Sequence, residues 1–362
     1  MIDLPELLIL DIGHGNCAIL QDADTVTVID CPPSATVVEV LERQGIEAVD
    51  NILISHSDVD HAGGLPSLLK KVFVRNVYVN PDADKKGAKG NLWKGVRIAL
   101  GLAEERGTIV HPSLTTADSK KINSGQVIIE ILSPSSIIAL GGVTGDDLDG
   151  RTQSSNSMSV VIGLVHDSYR VALLPGDMDE NGLDNLLKKQ QNIEAQILVF
   201  PHHGGTPGKN VDCRVFATKL CRCVQPNLVV FSYGRNRYRN PRKDIMQGVV
   251  LAAPNAHVMC TQLSKKCSIV SPHTDFSHLT NLPAAGFIRD NCCGGTIVVE
   301  INGKQTRYMP SLNEHRAFVT DKMKVPTPLC LYKLAEQYNN KQDSTTDAQT
   351  QTSLEYPTHL GN

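Results

Sequence analysis

The sequence predicts a mixed α/β (α+β) fold in which two β-sheets pack face to face with helices on the outside. Three observations carry this. Strand-length apolar runs come first and helical periods follow, and that order appears twice along the chain. His and Asp residues recur just past the ends of the apolar runs. Hydrophobic residues make up 41% of the chain and aromatic ones only 4%, so the core must be mostly aliphatic.

Leu7–Leu10 and Thr25–Ile29 read as strands, joined through Gly13, Gly15 and a turn at Asp22–Asp24. Thr36–Gln44 has a helical period, and Asn51–Ile54 is a buried strand. Leu65–Lys71 reads as a short helix, Val72–Val79 as a strand and Leu92–Arg106 as an amphipathic helix. Thr108–Val110 and Gln126–Leu132 return to strand. Residues 141–156 carry no apolar period and read as a long flexible loop. Ser159–Val165 and Tyr169–Leu174 form a hairpin around His166 and Asp167. Glu180–Gln191 is helical, Ile197–Phe200 and Leu228–Ser232 are strands, and Asp244–Ala253 is a helix. Past Lys333 the chain turns to Gln, Thr, Asn and Asp, which predicts a disordered tail over residues 336–362.

A length of 362 residues suits one large domain or two ordinary ones. The net charge of −3 provides no global cationic field, so any binding of nucleic acid must come from a local patch. No apolar run is long enough to span a membrane. The start, Met1 to Glu6, lacks the basic and apolar regions of a signal peptide, so a cytoplasmic location is expected. Ten unevenly spaced cysteines in such a chain read as thiols or metal ligands rather than disulfides.

Residues 54–64, Ile-Ser-His-Ser-Asp-Val-Asp-His-Ala-Gly-Gly, hold the densest chemistry. His56, Asp58, Asp60 and His61 can turn toward one point at a strand end. Imidazole with carboxylate is a ligand set for Zn²⁺, Mn²⁺ or Fe²⁺. Four such residues can hold two ions, and a metal pair is a hydrolytic device. Two further loops add candidates: Asp177 after a strand and a Pro-Gly turn, and His202 with His203 after a strand and before glycines.

These motifs resemble the metallo-β-lactamase fold, and within it the soluble catalytic domain of the DNA-uptake competence protein ComEC family. The stretches that carry the resemblance are 11–17, 28–30, 55–64, 156–161, 173–177 and 201–204, and the match runs over about residues 5–270. The resemblance implies a four-layer αββα sandwich with a C-terminal extension. It divides the chain into a hydrolase domain at 1–270, a Cys/His-containing extension at 271–335 packed on it, and the tail. It also implies two divalent ions, Zn²⁺ or Mn²⁺ with Mg²⁺ as a further option. His56, Asp58 and Asp177 would bind one ion; Asp60, His61, Asp177 and one of the histidine pair would bind the other. His203 is the preferred ligand of the pair, with His202 as a phosphate contact or proton donor. Asp30 would hold a loop or a ligand histidine from behind. The commoner family pattern has His where this chain has Asp58 and Asn156. Oxygen donors there harden the first site toward Mn²⁺ or Mg²⁺.

Other residues have two readings each. Arg235, Arg237, Arg239, Arg242 and Lys243, interleaved with Tyr233 and Tyr238, could follow a phosphate backbone and stack a base, or form a solvated basic loop. Cys260, Cys267, Cys292 and Cys293, with His257, His273 and His278 nearby, read as buried thiols or as a small structural zinc site. His14, between glycines, reads as a residue lining the cleft or as a satisfied loop histidine.

The expected activity is hydrolysis of phosphodiester bonds, in a cytosolic nuclease whose water is activated by two metals. Asp60, His202 and Asp58 are the catalytic candidates, and nucleic acid is the expected substrate. A protein partner in a multi-component system would fit an effector role. The alternatives are a small-ester hydrolase (phosphorylcholine ester, cyclic nucleotide or lactone) and a non-catalytic interaction scaffold.

Overall fold

A computed structural model of the protein describes residues 4–82, 91–123, 125–235, 237–271, 276–325 and 328–331. The expected tail at 336–362 lies outside them, as do Asn236 and His273. Successive side chains in a strand point to opposite faces, and strand β1 (Glu6–Ile9) shows what this does here. Leu7 and Ile9 enter an aliphatic core between two sheets, while Leu8 and Leu10 enter a separate core under helices. All four side chains are buried, and each such burial contributes about 1.5–3 kcal/mol.

The first sheet continues with β2 (Ala18–Asp22), β3 (Thr25–Ile29), β4 (Ala48–Leu53), β5 (Phe73–Tyr78) and β6 (Ile109–His111). The second is built from β7 (Ile128–Ser133), β8 (Val161–His166), β9 (Tyr169–Leu174), β10 (Ile197–Val199), β11 (Leu228–Phe231) and β12 (His257–Cys260). β13 (Ile297–Glu300) and β14 (Arg307–Met309) return to the first sheet. The strand orders are β14-β13-β1-β2-β3-β4-β5-β6 and β12-β11-β10-β9-β8-β7. Residues from the 271–335 stretch therefore enter the first sheet itself, with β13 antiparallel to β1.

Helices α1 (Ala35–Arg43), α2 (Val59–Ala62), α3 (Leu65–Lys71) and α4 (Asn91–Glu104) follow strands of the first sheet. Val37, Leu41, Leu68 and Val96 cover its outer face. Helices α5 (Ser136–Gly141), α6 (Glu180–Lys189), α7 (Cys213–Val224) and α8 (Lys243–Ala252) belong to the second half, and α9 (Leu312–Ala317) follows β14. Leu183, Phe216, Leu220 and Ile245 cover the outer face of the second sheet. The result is the expected four-layer αββα sandwich.

The expected strands and helices appear within a few residues of their positions. The sequence reading does not give α5, β12, β13, β14 or α9, nor two further elements. β2 is a five-residue strand inside what reads as a connection. α7 buries Cys213, Phe216, Ala217, Leu220, Cys221 and Val224, a helical stripe in which cysteines stand where leucines usually do. Loop 141–156 is pinned: Asp147 accepts hydrogen bonds from the Asp149 and Arg151 backbone and pairs with the Arg151 guanidinium, which also reaches Asp184.

One buried chain links the second sheet to the C-terminal stretch. His257 Nδ1 is 3.0 Å from Tyr308 OH, and its Nε2 is 2.9 Å from His315 Nδ1. Burial first, then the Arg316 charge, holds His257 down at about 4. Burial, His257 and His278 hold His315 well below the usual imidazole range. Both rings stay neutral in the folded chain, whereas the unfolded chain takes up protons below the ordinary value of 6.5. Their stabilisation is complete above 6.5 and is lost as pH falls toward 4, at up to about 1.4 kcal/mol per pH unit for each group. Thermal melts compared at about pH 7 and about pH 5 should show His257→Phe losing less stability than wild type. An unchanged difference would remove His257 from the acid response.

Candidate metal centre

Three strand ends deliver the ligand-type residues. β4 runs through Ile54 and Ser55 to His56, and Asp60 and His61 sit on the one-turn helix α2 that follows. Asp177 lies past β9, behind Gly176 at φ 56°. A Cβ on Gly176 would stand 2.3 Å from Ser159 Oγ, so only glycine lets this turn close against its neighbours. Asp177 N then donates to Ser159 Oγ at 3.1 Å. Past β10, His202 and His203 both have left-handed backbone, at φ 52° and 54°. Strain of this kind in non-glycine residues concentrates at functional sites.

Hydrogen bonds decide which nitrogen faces the cleft. His203 is buried, and its Nδ1 donates to the Ser232 carbonyl at 2.8 Å. A carbonyl only accepts, so Nδ1 carries the proton and Nε2 keeps a free lone pair. His61 Nδ1 is 2.7 Å from Asp30 Oδ2, which fixes that ring in the same sense. Asp30 also accepts from Ser55 N and Ser55 Oγ, each at 2.7 Å. His202 has no such anchor, with only Asn156 Nδ2 at 3.4 Å from its Nδ1.

The free atoms converge in two groups, His56 with His61 and Asp177, and His14 with Asp60 and His203. Asp177 is shared between them. Its Oδ2 is 3.8 Å from His56 Nε2, and its Oδ1 is 3.0 Å from His61 Nε2 and 3.5 Å from His203 Nε2. Asp60 Oδ2 is 3.6 Å from His203 Nε2 and 3.1 Å from His14 Nε2. His56 Nε2, His61 Nε2, His203 Nε2 and Asp177 Oδ1 are buried and make no hydrogen bond. Buried polar atoms left in this way need a partner, and a cation at each group would supply it.

The electrostatics agree. Burial alone would raise the Asp177 carboxyl, yet the His61, His203 and His56 charges hold it well below the usual range. Asp60 is likewise raised by burial but held far down by His14 and His203. His61 is pushed down by burial and up further by Asp177 and Asp30, so a proton stays on it beyond the usual imidazole range. Anionic groups this buried call for positive charge, and metal binding releases such a proton.

Of the residues read from the sequence, His56, Asp60, His61, Asp177 and His203 meet in these groups. Asp58 stands at the rim with its side chain 43% exposed, 3.6 Å from His56 Nε2. Asn156 contacts His202 and belongs to neither group. His14, read as lining the cleft behind the ligands or as a satisfied loop histidine, has its Nε2 inside the second group. An open cleft of about 940 Å³ extends outward past Asp58, His202, Arg237, Tyr238, Arg239, Lys243 and Lys266.

Two readings are corrected. Arg235 is 2% exposed, and its guanidinium donates to the carbonyls of Leu263, Ser268 and Ile269, so it has no face for a substrate. Arg242 lines the cleft but grips Asp244 with both Nε and Nη2. Among the described residues, the four cysteines do not come together as one group of three ligand atoms. Cys292 Sγ donates to Asp11, Cys293 Sγ lies 3.2 Å from His315 Nε2, and Cys267 Sγ accepts from Leu329 N. No cysteine joins a ligand group of three among the described residues. Burial pushes the Cys260, Cys267, Cys292 and Cys293 thiols up, and Cys260, Cys292 and Cys293 are buried while Cys267 is half-buried.

Two sheets whose strand ends bring two ligand groups around a shared carboxylate define a metal-dependent hydrolase of the αββα class. The sequence pattern of the metallo-beta-lactamase superfamily matches residues 10–208, and the chain belongs to that superfamily. It is similar to ComE operon protein 3 of Bacillus subtilis (strain 168), with 24% identity over 215 residues, 57% of this chain and 23% of the relative. Competence protein ComA of Neisseria gonorrhoeae is 24% identical over 245 residues, 66% of this chain and 28% of the relative. The chain thus spans about a quarter of the length of these relatives. The metallo-beta-lactamase fold protein YhfI from Bacillus subtilis overlaps it with a TM-score of 0.45 at 11% identity, covering 71% of this chain and 96% of that one. No helix among the described residues is long and apolar enough to cross a membrane.

Proposed function

We propose that this chain is a cytosolic hydrolase of phosphodiester bonds in nucleic acid, working with two divalent ions, Mn²⁺ or Zn²⁺. One observation carries the reading. Arg237, Arg239 and Lys243 are exposed around the cleft, with exposed Tyr238 among them, in a chain of net charge −3. A basic rim on an acidic chain favours a polyanion over a neutral lactone or ester. When bound, a pair of divalent ions supplies an activated water and neutralises charge on the attacked phosphate. His56, His61 and Asp177 would hold one ion, and Asp60 and His203, with Asp177 shared, the other. Arg237 and Arg239 bind flanking phosphates and Tyr238 stacks a base. Asp58 and Asp60, on the cleft wall, orient the attacking water. His202, half-buried there, gives a proton to the leaving oxygen.

The test incubates wild type and an Asp60→Ala, His61→Ala double variant with single-stranded DNA, duplex DNA, RNA and bis-nitrophenyl phosphate under Mn²⁺, Mg²⁺ or Zn²⁺. Cleavage by wild type alone is expected. A metal-loaded wild type that cuts none of these would sink the reading, and activity surviving the double substitution would move the chemistry elsewhere. A second measurement addresses the rim. Changing Arg237 and Arg239 to Ala should flatten the salt dependence of nucleic-acid binding by about one unit of slope each, with cleavage of bis-nitrophenyl phosphate little changed. An unchanged slope would take these arginines out of the substrate path.

A further inference from the structure

We propose that His14 is a nitrogen ligand of the second ion, supplied by a loop outside the two histidine motifs and Asp177. His14 Nε2 lies 3.1 Å from Asp60 Oδ2, and its ring centroid is 4.6 Å from that of His203. One ligand atom each from His14, Asp60 and His203 falls within a span of 4.8 Å, as three donors around one ion must. His203 Nε2 is buried, unpartnered and turned to the same place. The His14 side chain is buried, its ring packs between His203 and Tyr238, and its Nδ1 has no hydrogen-bond partner, so among the described residues Asp60 is the one polar group that meets the ring.

The loop that carries His14 is held by contacts of its own. Buried Asp11 accepts from Gly13 N at 3.1 Å, Gln262 Nε2 at 2.8 Å and Gly286 N at 2.9 Å. Ser232 Oγ donates to the Gly15 carbonyl at 2.8 Å. A Cβ on Gly15 would stand 2.4 Å from the Asp60 carbonyl, so the loop lies directly against the helix that carries Asp60 and His61. Ligands held in place by their surroundings lose little freedom on binding.

The assignment changes how nitrogen is divided between the ions. Asp58 and Asn156 leave the first group with His56 and His61 alone. His14 gives the second group two imidazoles, His14 and His203, beside Asp60. Each group then holds two imidazoles and one carboxylate of its own, a donor set that suits Zn²⁺ at both places.

Metal content and affinity test this without substrate, so the result stands apart from the phosphodiester reading. Purified wild type, His14→Ala and His14→Gln are compared by elemental analysis and by Zn²⁺ titration in competition with a chelator. Glutamine can still donate a hydrogen bond to Asp60 but is a poor ligand. Both variants are expected to lose one of two ions, or to weaken its binding at least 100-fold, while melting like wild type with the metal removed. Wild-type ion content and affinity in His14→Gln would overturn the assignment and leave His14 a hydrogen-bond donor to Asp60. So would an unaffected His14→Ala, or a wild type that binds fewer than two ions.

Discussion

Exchange of Asp177 for asparagine is expected to slow hydrolysis at least ~1,000-fold and to cost the chain one or both ions. The fold-change corresponds to about 4 kcal/mol of barrier. Asparagine keeps the shape but removes the charge and replaces one oxygen with an amide nitrogen. The Asp177 carboxylate reaches both groups, Oδ2 toward His56 and Oδ1 toward both His61 and His203. No other described side chain belongs to both sets, so neither group can make up the loss. Gly176 and Ser159 pin the backbone, which leaves no slack for a substitute to move in. Elemental analysis together with single-turnover cleavage checks the result. Two tightly held ions and an unchanged rate would show that the carboxylate is not shared.

The next largest effect is expected at a residue that points away from the cleft. Asp30→Ala should weaken metal binding about 10–100-fold and also lower the melting temperature of the metal-free chain. Asp30 is 2% exposed and accepts three hydrogen bonds, from Ser55 N, Ser55 Oγ and His61 Nδ1. Alanine strands those donors, at about 1–3 kcal/mol for a buried one. It must also adopt Asp30's φ of 60°, where Ala is disfavoured by roughly 1–2 kcal/mol. Chelator competition and a thermal melt measure the two effects separately. Normal metal affinity in a destabilised variant would mean that His61 needs no support from behind.

Much of this centre was legible in the sequence because its ligands follow a simple rule. His56, Asp177 and His203 come directly after apolar runs that form β4, β9 and β10, so their approximate position followed from recognising the strands. His14 follows a strand too, but a single histidine between two glycines carries no spacing that would mark it as a ligand. Its role emerges only when residues 11–15 are folded against α2. Arg235 failed for the opposite reason. Three carbonyls from a loop some thirty positions downstream satisfy its guanidinium, and nothing in a run of arginines tells which one turns inward. Cys292 and Cys293 mislead by adjacency. Cys292 bridges Gln262 and Cys293 opens the bend that follows, and so one reaches Asp11 and the other His315. Helix α7 was hidden by cysteines at its apolar positions.

The pairing of β1 with Ile297–Glu300 has a consequence in time. During synthesis β1 emerges long before β13, and its hydrogen-bonding groups on that side stay unmatched until the far strand has been made. At roughly 5–20 residues per second, the wait is on the order of tens of seconds. The apolar run Leu7-Leu8-Ile9 is then a bare template on which another nascent chain could pair. A chain cut at residue 270 would never leave that state. The C-terminal stretch closes a seam that the ligand-bearing part of the molecule cannot close for itself.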